Sequence, residues 1–135
     1  MTVGFASSYL NSCLDVLGNG SSSAGTTFTG IAGSYIKLHT GDPGAAATSN
    51  AAVGDATRKA VNYAAASAGS MSLTGTAPVW TNGGTSETLT DISVWDASSA
   101  GNFLYSAQLS ASQAWASGNT FTLTALTFSL TPIAA

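Results

Sequence analysis

One histidine, one cysteine and six carboxylates are the side chains in this sequence best suited to acid–base or metal chemistry. His39 precedes Asp42 across the run Thr40-Gly41-Asp42-Pro43-Gly44, and a carboxylate beside an imidazole is the arrangement of a general base or of half a metal site. Zinc would need further nitrogen or thiolate ligands. The other carboxylates are scattered, so His39 reads as a strand-end histidine beside a turn. Asp42 and Asp55 lie in neighbouring loops and could collect calcium with backbone carbonyls, but no D-x-[DN]-x-[DN]-G loop is present. Serine and threonine are plentiful, yet no G-x-S-x-G elbow presents one as a nucleophile. Gly18-Asn19-Gly20 and Gly83-Gly84 match neither the dinucleotide nor the Walker pattern. Cys13 stands alone in an apolar helical pattern, so an intrachain disulfide is impossible and a small buried hydrophobe is expected. No catalytic, cofactor-binding or metal-binding residue is assigned, and the expectation is a protein that is not an enzyme.

What surrounds these few groups is more informative. Charged residues make up 7% of the chain, against roughly 25% in an ordinary soluble domain. Ala, Gly, Ser and Thr account for 77 of the 135 residues. Such a surface has little side-chain entropy to lose on being covered, and little charge repulsion to keep free monomers apart. It suits a chain packed into an assembly. The net charge of −3 supplies neither a basic stripe for nucleic acid nor a polybasic patch for a membrane. No secretory signal and no bilayer-spanning run is visible, which predicts synthesis in a cytoplasm.

The elements follow from periodicity. Phe5, Tyr9, Cys13, Val16 and Leu17 recur at helical spacing, predicting one N-terminal helix over Phe5–Leu17 with Gly18 as its C-cap. Asn19 to Gly33 is a Gly/Ser/Thr connector, so 1–33 is expected to be a helix plus linker and 34–135 a β domain. From Ser34 the period changes to two. Strands are predicted at Ser34–His39, Arg58–Ala64, Ser70–Leu73, Ala77–Trp80, Thr88–Trp95 and Phe103–Leu109, and a last, longest one opens at Gly118-Asn119 and ends before Pro132. Along that last strand Phe121, Leu123 and Ala125 are odd-numbered whereas Leu126, Phe128 and Leu130 are even. A period of two cannot change parity without an extra residue, which predicts a bulge or sharp bend at Ala125-Leu126. The fold class is mainly β: an antiparallel β-sandwich or jelly-roll-like barrel with one N-terminal α-helix.

Parity also sorts the aromatic residues. Ile36, Leu38, Ile92 and Val94 mark the inward faces, so Tyr35 and Trp95 face outward or onto a second layer. Trp115, flanked by alanines near a turn, is placed with them. Aromatic residues outside a core serve subunit contacts, a sugar-stacking platform or second-layer packing.

Several segments together resemble a known family. They are Tyr35-Ile36-Lys37-Leu38-His39-Thr40-Gly41-Asp42-Pro43-Gly44, the run Thr57 to Ser67, Trp80, the run Glu87 to Ala97, Gly101-Asn102-Phe103-Leu104-Tyr105, Ala116 to Phe121 and Leu126-Thr127-Phe128-Ser129-Leu130. In this order they resemble small virion proteins of tailed bacteriophages, common among phages of actinobacteria. Members of that family are labelled tail fibre, minor tail or capsid decoration proteins. The resemblance implies a β-sandwich structural protein of the virion, with no catalytic residue to carry over.

The sequence contains no collagen-like, coiled-coil or triple-β shaft, and a compact domain suits a lattice better than a span. The reading favoured on these grounds is a capsid decoration (cement, minor capsid) protein bound to the major capsid protein. Assembly as a cyclic homotrimer is expected, with Thr2 to Gly33 reaching a neighbouring subunit. The alternative is a tail fibre or minor tail protein contacting tail proteins or a host surface glycan. Neither nucleic acid, membrane nor cofactor is expected as a partner.

Overall fold

The computed structural model describes residues 4–6 and 33–129. Eight strands run in chain order: β1 (Ser34–His39), β2 (Lys59–Tyr63), β3 (Ser70–Thr74), β4 (Val79–Thr81), β5 (Glu87–Trp95), β6 (Phe103–Trp115), β7 (Thr120–Thr122) and β8 (Thr127–Ser129). Six of them form one sheet in the order β6-β5-β1-β2-β3-β8, and β4 pairs with β7 in a second. Every pairing is antiparallel.

Register puts the apolar residues together as their alternation requires. Ile36 lies opposite Val94 and Leu38 opposite Ile92, and all four are buried. On the other face of the same strands Tyr35 pairs with Trp95, Lys37 with Ser93 and His39 with Asp91. The two-stranded sheet covers the core, contributing Trp80 from β4 and, just past β7, Leu123. The indole of Trp80 is fully buried and its ring centroid lies 6.1 Å from that of Phe121 on β7.

The six-stranded sheet curls until its two edge strands face each other. Phe128 on β8 and Tyr105 on β6 belong to opposite edges, yet their ring centroids are 5.7 Å apart. Phe5 sits against both, 5.7 Å from Tyr105 and 5.3 Å from Phe128. The sandwich-or-barrel expectation thus takes the form of a curled sheet with a seam between β6 and β8, capped by a small second sheet.

Several sequence expectations change. Phe5 is extended and bridged to Tyr105, with Ala6 N–H donating to the Leu104 carbonyl (2.8 Å) and Ser106 N–H to that of Gly4 (2.9 Å). The predicted helix therefore cannot begin at Phe5, because the edge of β6 offers that backbone partners. The rest of the predicted helix, with Cys13 and Gly18, lies outside the described residues, as do the connector up to residue 32 and Pro132. The longest strand is β6, with 13 residues, and it carries Trp115 at its end rather than in a turn. The predicted final strand is two, β7 and β8, in different sheets. Between them Leu123 N–H donates to the Pro78 carbonyl (3.2 Å) and the Leu126 carbonyl accepts from Leu73 (3.1 Å), so the parity change marks where the chain crosses from one sheet to the other.

Candidate functional site

His39 is the natural starting point, and the fold encloses it. The segment after the turn folds back on β1, with Thr40 N–H bonded to the Asn50 carbonyl (2.8 Å) and Ala52 N–H to that of Leu38 (3.0 Å). Beneath it, His39 Nδ1 lies 2.8 Å from the Ser49 carbonyl and Nε2 lies 2.7 Å from Ser93 Oγ. A carbonyl can only accept, so Nδ1 carries the proton. Ser93 Oγ then donates to Nε2 while accepting from Trp95 Nε1–H at 2.9 Å. Every polar atom of this relay is satisfied with a neutral imidazole. Burial pushes the His39 pKa below its ordinary value, and the neighbouring Lys37 charge acts in the same direction. The Ser93–His39 contact has the geometry of a nucleophile and its base. Both side chains are 0% exposed, so no substrate reaches them.

The carboxylates are likewise engaged close to home. Asp42 Oδ1 accepts from Gly44 N–H (2.9 Å), and Asp55 accepts from the amide and hydroxyl of Thr57 and pairs with Lys59 at 3.3 Å. Burial alone would raise the Asp55 carboxyl, but these donors outweigh it and hold the pKa below its usual value. Glu87, not singled out for chemistry in the sequence, clamps the loop after Ala52 by accepting from the amides of Val53 and Gly54. Asp91 is buried, with Oδ2 bonded to Thr90 and Oδ1 lacking a partner among the described residues. No group of three His, Cys, Asp or Glu residues gathers among the described residues.

The tryptophans are not stacking platforms. Trp95 faces outward from β5 as parity predicts, but Arg58 lies over its ring at 3.6 Å from the centroid and Phe103 packs beside it at 5.6 Å. The guanidinium is itself held by the carbonyls of Ala97 and Ala100. Trp115 is 1% exposed in the core, its Nε1–H bonded to the Asn119 carbonyl (3.0 Å). Both indoles belong to layers inside this chain, because distant segments return to cover them. Tyr35 remains half-buried.

An open surface with chemical variety lies along the seam instead. A groove of about 470 Å³ runs between the distal half of β6 and the β7–β8 connection, lined among others by Gln108, Ser110, Gln113, Phe121, Thr124 and Leu126. An apolar pocket of about 180 Å³ lies beside Phe5, Tyr105 and Phe128. Amides, hydroxyls and half-buried apolar side chains can bind neutral polar surfaces through hydrogen bonds and contact area; they cannot do acid–base chemistry. Sequence reasoning missed this groove because it depends on the sheet curling.

Among the described residues the protein is an all-β domain with a sealed polar interior and a neutral, open seam. The family model described as podophage GP4 fiber I protein gp80 matches residues 7–131. The chain belongs to this phage fibre family and is a virion-associated structural protein of the bacteriophage fibre type. No curated protein matches it.

Proposed function

We propose that this chain is a non-enzymatic building block of a phage tail fibre, contacting tail proteins and, through its exposed neutral surface, glycan of the host envelope. The observation that carries this reading is the family match over residues 7–131. The scarcity of charge, 7% of residues, adds a physical reason: the surface suits permanent neighbours. Homotrimeric assembly and an actinobacterial host are part of the proposal, the latter from the sequence resemblance. Capsid decoration is the second reading, favoured by a compact domain without shaft repeats. Fractionating purified virions into heads and tails and counting this chain by mass spectrometry separates the two. The fibre reading expects it with the tails at a few copies per particle. Hundreds of copies on the heads would establish decoration, and absence from both fractions would end either reading.

A further inference from the structure

The backbone along the seam has more hydrogen-bonding capacity than the described residues satisfy. β6 is an edge strand, and among the described residues only its proximal part is covered, where Gly4–Ala6 bond to Leu104 and Ser106. Antiparallel strands direct alternate residues to alternate neighbours, so the next residue in phase, Gln108, turns its amide and carbonyl toward the groove. No backbone partner meets them among the described residues. Further along, Asp91 pairs with Gln108 but Leu89 with Gln113, which leaves Leu109 to Ser112 without register partners on β5.

Edge strands of proteins that must stay apart are guarded by lysine, proline or inward charge. Phe103 to Trp115 contains no charged residue and no proline. What β6 does carry is two irregularities in its register with β5, opposite Leu89–Asp91 and Val94–Trp95. We propose that the distal edge of β6, from Ala107 to Ala114, receives an extended segment of a second copy of this chain by strand addition. The same edge already accepts an added strand at Phe5, bridged antiparallel to Tyr105, so its backbone is competent for strand addition. A neutral groove lined by glutamine, serine and threonine fits a chain rich in small, uncharged residues better than it fits a charged partner. This inference deepens the fibre reading by naming the face on which copies meet.

The test compares the full chain with S110P and A111K by native mass spectrometry and sedimentation at tens of micromolar. Circular dichroism and thermal melts check that the variants fold. Oligomers are expected for the wild type, with association weakened at least about tenfold in both variants, since proline removes an edge donor and lysine leaves an unpaired charge. Hydrogen exchange should show the amides of Gln108 and Ser110 protected in the wild-type oligomer only. Oligomers unchanged in both folded variants would overturn the proposal while leaving the fibre reading intact. A wild-type monomer would overturn it too, including the case in which the chain's own N-terminal residues cap the edge. The fibre reading itself stands or falls separately, on the head and tail fractions.

Discussion

At the scale of single residues, two buried polar side chains hold loops that alternation cannot place. His39 joins the returning loop at Ser49 to β5 at Ser93, and its relay requires the neutral ring. An unfolded chain takes up a proton at the ordinary value of 6.5, whereas the folded protein does so only at lower pH. The folded pKa is therefore depressed, so stability is full above about pH 6.5 and is lost as pH falls through the window below it. Chemical denaturation at stepped pH should show this slope, and His39→Gln should flatten it. An unchanged slope in the variant would place the acid sensitivity elsewhere. Asn82 does comparable work between the sheets. Its Nδ2 donates to the carbonyls of Trp115 (2.7 Å) and Thr85 (3.0 Å), and its Oδ1 accepts from Gly84 (2.9 Å). Asn82→Ala leaves the buried end of β6 with an unpaired carbonyl, an expected cost of about 2 kcal/mol in a denaturant titration. Asn82→Asp should be destabilising at neutral pH, since a carboxylate oxygen would face the Trp115 carbonyl.

At the scale of elements, turn geometry offers a gain in stability. Ser67 and Ser70 exchange both backbone hydrogen bonds across Ala68 and Gly69, which have φ of 49° and 75°. Positive φ at both central residues is the hairpin turn that favours Asn-Gly, and alanine there is strained by its Cβ. Ala68→Asn is expected to raise stability by about 0.5–1 kcal/mol, read as a higher melting temperature. A fall instead would mean that the turn is set by contacts beyond its own backbone. Much of this level was legible in the residues themselves. Ile36 and Leu38, and Ile92 and Val94, announced both strands and their inner faces. The parity change after Ala125 announced an irregularity there, though as a bulge or bend in one strand and not as the crossing between sheets that it is. What alternation hid was non-local. His39 and Trp95 have outward parity and are nevertheless buried, since the loop around Ser49 folds back over His39 and the Arg58 guanidinium reaches Trp95 from far along the chain. Trp115 looked like a turn residue because alanines flank it, and its burial depends on Asn82 and Asn119 meeting it in space. The seam was invisible for the same reason: Gln108 and Gln113 become neighbours of Phe121 and Leu126 only after the sheet curls.

For the molecule as a whole, the question is what keeps a six-stranded sheet curled when its edge strands do not pair. Three aromatic rings and one hydroxyl contact span the gap. Phe5, Tyr105 and Phe128 form a mutual cluster across the seam, and the Tyr63 hydroxyl on β2 meets that of Tyr105 at 2.8 Å. Burial pushes the Tyr63 pKa up, so its hydroxyl stays protonated in this contact. Backbone pairing binds Phe5 to β6, so the Phe5–Phe128 contact, together with Tyr105–Phe128, closes the gap to β8. If the curl depends on it, Phe5→Ala and Phe128→Ala should not cost independent amounts. Aromatic pairs of this geometry are worth about 0.5–1.5 kcal/mol beyond their buried area, so the double variant should lose less than the sum of the singles by about that much. Hydrogen exchange adds the spatial readout. Opening the seam should speed exchange along β3 and β8 while leaving β1 and β5 protected, because the central strands keep both neighbours. Additive costs with uniform exchange would mean that the strand twist alone curls the sheet, leaving the rings as filling. A coupling confined to β8 and β3 would make the seam the part of the fold that opens first, and so the part best placed to receive another strand.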